Sequence, residues 1–191
     1  AMTNRSPLAF LLGRSSSRWL VVVALAWAVA PASADTFGVG DTLAPITLED
    51  QYGELRQVDS QTRAILFSRD MDGGKFLKSG LAGRTGGDLA ARRVAYVADI
   101  SGMPRLVARL FALPGMRKRG YPMLLDRDGE VTARLPDEPG RATLIRLDAL
   151  RIIAIDHLDD ASAVAAAVED LPAVAVVVEG VEAAAEEAQA E

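Results

Sequence analysis

The residues most able to do chemistry lie in one short stretch, Arg69-Asp70-Met71-Asp72-Gly73-Gly74-Lys75, where two carboxylates and two cations flank a Gly-Gly pair. It follows the apolar run Ala64-Ile65-Leu66-Phe67 and precedes a segment in which Phe76, Leu77 and Leu81 are helically spaced. A polar strand-to-helix connection of this kind falls at the carboxyl edge of a sheet, where α/β proteins often bind ligands. Free N–H groups at the helix start would suit an anion, with Lys75 and Arg69 beside them. A plainer reading has Asp72 capping the helix and the glycines letting the chain turn. The Gly-Gly-Lys-Phe string is not a phosphate-binding P-loop, because the first glycine at the required spacing and the following Ser or Thr are both missing.

Other clusters read more simply. Asp126-Arg127-Asp128-Gly129-Glu130 is too short for a calcium loop and lacks its later ligands, so it reads as a hairpin turn. Asp156-His157-Leu158-Asp159-Asp160 carries the only histidine, which after a strand reads as a boundary residue. Arg117-Lys118-Arg119 follows a helical stretch whose C-terminus cations complement, and its functional alternative is a contact with a partner or an anion. The 191 residues contain no cysteine, which removes thiol nucleophiles, disulfides, iron–sulfur clusters and cysteine zinc sites together. A single histidine leaves any Ser-His-Asp relay or metal site dependent on His157 or on carboxylates. No cofactor is expected.

Residues 1–34 carry Arg5, Arg14 and Arg18 and no acid, then a twelve-residue apolar run from Trp19 to Ala30, then Pro31-Ala32-Ser33-Ala34. This is the pattern of an export signal cleaved after Ala34. The run is shorter than the roughly 20 residues a membrane span needs, so no stable span is expected after cleavage. The expected location is periplasmic or secreted. Cleavage changes the formal charge from −5 to −8, with 18 basic against 26 acidic residues. Ten of those acids follow Arg151, so residues 35–151 are nearly balanced and lack the basic stripe that nucleic acid requires.

Several elements must position these groups. Residues 43–50 and 54–58 read as a hairpin about Gln51-Tyr52-Gly53. Ala64–Phe67 and Arg93–Asp99 read as core strands, Lys75–Leu81 as a helix ended or interrupted by Gly80, Gly83, Gly86 and Gly87, and Pro104 as the opening of an amphipathic helix. Residues 121–126 and 130–135 read as a second hairpin, and residues 141–147 and 151–155 as a third. Asp159 is the expected N-cap of a last helix over residues 161–168, and the Ala/Glu-rich residues 171–191 are expected to be a flexible acidic tail.

Three segments in this order carry a family resemblance. Gly40-Asp41-Thr42-Leu43-Ala44-Pro45 with Leu48-Glu49-Asp50-Gln51-Tyr52-Gly53, Tyr121-Pro122-Met123-Leu124-Leu125-Asp126-Arg127-Asp128-Gly129-Glu130-Val131, and Arg141-Ala142-Thr143-Leu144-Ile145-Arg146-Leu147-Asp148 resemble stretches of the thioredoxin fold as elaborated in peroxiredoxins and periplasmic thioredoxins. The resemblance covers about residues 40–170. It implies a three-layer α/β/α sandwich with a central mixed sheet and an extra N-terminal hairpin, occupying residues 35–170. It also sets Asp72 and Lys75 on the two cysteine positions and Ala142 on the family's cis-proline position. Arg141 falls at or beside the arginine with which peroxiredoxins hold their thiolate. Neither disulfide exchange nor peroxide reduction proceeds without a thiolate, so that chemistry is absent. The export signal, extra hairpin and missing cysteines also resemble the YtfJ-like periplasmic proteins.

The expectation is therefore a non-redox binding or adaptor module for an unknown periplasmic protein or a small anionic ligand. Its candidate face comprises Arg69, Asp70, Asp72, Gly73, Gly74, Lys75, Tyr121, Pro122 and Arg141. An enzyme would instead need Asp70, Asp72, Lys75 and Arg141 gathered around one pocket with shifted proton affinities.

Overall fold

The computed structural model describes residues 35–174. The expected signal segment and the tail from residue 175 onward lie outside the described residues. Strands β1 (Ile46–Glu49) and β2 (Leu55–Val58) form an antiparallel hairpin with Ile46 opposite Val58. Its turn is organised by Asp50, whose buried carboxylate accepts from the N–H groups of Tyr52 at 2.8 Å and Glu54 at 3.0 Å. Gly53 supplies the positive φ of +87° that the turn needs.

β3 (Ala64–Ser68) is buried at every position, as its unbroken apolar run predicts for a central strand. It pairs in parallel with β4 (Val94–Asp99), which pairs in parallel with β5 (Leu124–Asp126). On its other side β3 pairs antiparallel with β6 (Ala142–Asp148), and β6 with β7 (Arg151–Leu158), giving the order β5-β4-β3-β6-β7. Helices α1 (Met71–Gly80), α2 (Gly86–Ala91), α3 (Arg105–Val107), a π-helical turn (Ala108–Ala112), α4 (Leu113–Arg117) and α5 (Ala161–Glu169) complete the elements of the described residues. This mixed five-stranded sheet with a preceding hairpin is the thioredoxin-like α/β arrangement that the resemblance implies.

Alternation along the strands divides the core. Leu66, Tyr96 and Leu144 pack with Leu77 of α1, Leu89 of α2 and Val164 of α5. Ile65, Phe67, Val97 and Ile145 face the other way, toward Ile46, Leu48 and Val58 of the hairpin. Burial of such side chains contributes about 1.5–3 kcal/mol each before conformational entropy is set against it.

Four local expectations are corrected. Residues 130–135 form turns and not a strand, because buried Asp126 draws the chain into a loop: its carboxylate accepts from the N–H groups of Asp128, Gly129 and Thr132 and from the Thr132 hydroxyl. Residues 86–91 are helical despite their glycines, because Thr85 and Asp88 make a reciprocal capping box. α5 is capped by Asp160, one residue later than expected. α1 begins at Met71, capped by Asp70 instead of Asp72.

Candidate functional site

β3 delivers Ser68 to the carboxyl edge of the sheet, and the chain turns through Arg69 and Asp70 into α1. Asp70 Oδ1 accepts from the Gly73 N–H at 2.8 Å, and Oδ2 accepts from the Gly140 N–H. One carboxylate thus joins the start of α1 to the loop leading into β6. The Arg69 guanidinium donates to the Thr132 carbonyl at 2.9 Å and lies over the Phe67 ring at 5.4 Å. It also lies 3.8 Å from Asp99 and 3.4 Å from Asp137. Burial raises the proton affinity of Asp137, the Arg69 charge opposes this, and the nearby Asp70 charge reinforces it.

Asp72 and Lys75, the two residues at the cysteine positions of the resemblance, pair with each other at 2.7 Å on the exposed side of the first helical turn. Gly73 faces inward, and a Cβ built there would meet the Arg141 carbonyl oxygen at 2.2 Å. Only glycine permits that approach between α1 and the entry of β6. Gly74 has more room, its nearest neighbour being Ser68 Oγ at 3.8 Å. Arg141 pairs with Glu138 at 3.2 Å. Tyr121 is buried, its ring 6.1 Å from that of Tyr96, and half-buried Pro122 packs against Gly86. Asp70, Asp72 and Arg141 are each held by a separate local partner.

Arg69, Asp70, Gly74 and Lys75 line a common cleft of about 620 Å³; Asp72, Gly73, Tyr121, Pro122 and Arg141 do not. Across the cleft from α1 stand Met103, Pro104, Val107 and Met116, with Tyr96, Arg119 and Met123 also lining it. Four of the chain's five methionines, Met71, Met103, Met116 and Met123, line it.

Arg119 has an unusual setting. Its guanidinium donates to the Met123 sulfur at 3.0 Å, its buried Nε has no acceptor, and it makes no ion pair among the described residues. Tyr96 and Tyr121 lie beside it, and burial raises the proton affinity of both phenols against the opposing influence of Arg119. Both remain neutral, so neither cancels the arginine charge. Lys78, on the exposed side of α1, also lines the cleft without an acidic partner among the described residues. In the sequence Arg119 reads as part of a basic run that complements a helix end or contacts an anion, and nothing local connects it with the cleft. The available signal was compositional, four methionines whose segments a β-α-β order brings to one edge.

The back of the cleft is fixed from the hairpin. The Gln51 side-chain amide donates to the Tyr121 carbonyl at 2.9 Å and accepts from the Met123 N–H at 2.8 Å. Arg117 Nε donates to the Gln51 carbonyl at 2.9 Å, and the Tyr52 hydroxyl donates to the Arg117 carbonyl at 2.7 Å. Among the described residues no group of three or more His, Asp or Glu side chains is arranged to hold a metal ion.

Solved structures similar to this chain include three from bacteria. A peroxidoxin, BcpB, from Mycobacterium tuberculosis has 20% identity and a TM-score of 0.46, over 68% of this chain and 92% of that one. A putative protein disulfide isomerase from Bacteroides thetaiotaomicron has 13% identity and a TM-score of 0.48, over 69% and 86%. A peroxiredoxin-like protein from Aquifex aeolicus has 10% identity and a TM-score of 0.46, over 73% and 91%. No protein-family model matches the chain, and no curated protein matches it.

Proposed function

We propose that this is an exported, non-redox binding module that takes an anionic ligand, free or displayed by a protein partner, in the cleft between α1 and residues 103–123. The observation that carries the reading is Arg119, a half-buried cation without an acidic partner among the described residues, on the wall of a cleft rimmed by Lys75 and Lys78. A guanidinium whose partners are a thioether and neutral phenols would gain charge-assisted hydrogen bonds from an incoming anion, and these are stronger than the neutral ones it makes now. Export rests on the basic, apolar and Ala-x-Ala pattern of residues 1–34. The absence of cysteine separates this role from thiol chemistry.

The test is a thermal-shift panel on the full chain with inorganic phosphate, simple carboxylates and acidic peptides. At least one anion should raise Tm progressively with its concentration, and Arg119→Glu with Lys78→Glu should remove the shift. A shift that survives both charge reversals overturns the reading. So does measured insulin-disulfide reduction, or peroxide consumption with a thiol donor.

A further inference from the structure

We infer that the ligand of this cleft is a small amphipathic carboxylate, its head group on Arg119 and its apolar tail between Met103, Val107 and Met116. This rests on the anion-binding reading above and adds the chemistry of the occupant.

The walls and the charge point to different halves of one molecule. Phosphate or another compact anion would use Arg119 and leave the methionine wall wet, whereas an apolar chain alone would leave the guanidinium unneutralised. Methionine side chains are unbranched and polarizable, so a wall built from them fits tails of varied shape. A guanidinium presents paired donors that match a carboxylate in a bidentate way. A volume of about 620 Å³ is within the range of small-molecule clefts. The Arg119 charge beside the Met123 sulfur also opposes a thioether-bound metal cation in the same place.

Arg119 keeps its charge available to a ligand because its partners are all neutral, the Met123 sulfur and the Tyr96 and Tyr121 phenols, and it makes no ion pair among the described residues. Arg69, at the same sheet edge, also has a buried Nε without a hydrogen-bond acceptor, but its charge is answered by Asp99 and Asp137 and it donates to the Thr132 carbonyl. Asp70 is occupied by two backbone N–H groups. Val107, 42% exposed, reaches the cleft without contributing to the buried core, so it is a place to block a tail without unfolding the domain.

The test is calorimetric titration of the full chain with decanoate, decanol, acetate and inorganic phosphate. Decanoate should bind at least tenfold tighter than either decanol or acetate. Arg119→Gln should erase its advantage over decanol, Arg119→Lys should retain part of it, and Val107→Asp should abolish decanoate binding while the melting profile stays that of the parent. Equal affinity for decanoate and decanol overturns the inference, and so does failure of decanoate to bind. If phosphate or acetate binds as tightly as decanoate and is lost in Arg119→Gln, the amphipathic ligand is refuted while the anion site stands. An Arg119-dependent response to acidic peptides without one to decanoate has the same meaning.

Discussion

Asp126 and Arg119 are both charged side chains drawn in from the surface near β5, and the fold treats them oppositely. Asp126, 3% exposed, is saturated: three backbone N–H groups and the Thr132 hydroxyl converge on it. Arg119 has a thioether sulfur, two neutral phenols nearby and a buried Nε with no acceptor. A satisfied buried charge specifies a loop; an unsatisfied one on a cleft wall leaves capacity for something from outside. Asp50 and Asp70 belong with Asp126, since each organises a turn or a helix start.

The sharpest way to break this contrast is to remove each charge. Asp126→Ala should lower unfolding free energy in urea by about 3 kcal/mol, because buried N–H groups lose a charged acceptor. Arg119→Gln should change it by no more than about 0.5 kcal/mol, as a substitution outside the structural framework does. If the two losses were equal, Arg119 would be a structural residue and the contrast would vanish. Gly73→Ala comes next: its Cβ meets backbone, which cannot rotate away, so a loss of about 2–3 kcal/mol is expected in the same measurement.

Asp50 probes the saturated class through pH. Burial pushes its carboxyl up, but the N–H groups of Glu54 and Tyr52 together with Arg56 outweigh this, and its proton affinity ends below the ordinary value. Its contribution is fully present above the unfolded carboxylate range, near pH 4, and is lost as pH falls through the lower folded value. Asp50→Asn should therefore cost about 1 kcal/mol at neutral pH, and the deficit should narrow in denaturation curves taken below about pH 4. Asp137 has the opposite sign, because burial raises its proton affinity against Arg69; its contribution is present at low pH and lost as pH rises through the folded value. The smallest effect is expected at Gly74→Ala, where a methyl group meets only Ser68 Oγ at 3.8 Å and the helix should gain about 0.5–1 kcal/mol. A loss there would mean that the first turn of α1 is as tightly confined on its cleft side as at Gly73.

The parts legible in the sequence are those set by local period and turn chemistry. The first hairpin, β3, β4 and the β6–β7 pair follow from apolar runs, alternation and the Asp50–Gly53 turn. The expected strand over residues 130–135 alternates convincingly, yet the Asp126 carboxylate outcompetes a strand partner for the Thr132 N–H. Asp70, and not Asp72, caps the helix, and its second oxygen accepts from the Gly140 N–H 70 residues away, a tertiary contact that local spacing does not reveal. Nor was the cleft legible, since Tyr96, Met103, Met116 and Arg119 reach one edge only after β3, β4 and β5 align. Tyr121, expected on the open face, is drawn inward by its packing against Tyr96.

The bond pair from Gln51 reaches across 70 and 72 residues of sequence to hold Tyr121 and Met123. In modular terms the hairpin is not a detachable ornament. A version trimmed to begin at β3 would keep all five strands of the main sheet while losing the brace behind Arg119. Redesign or domain grafting would therefore have to carry residues 46–58 along with the sheet, because the wall of the proposed binding cleft is braced from outside the sheet.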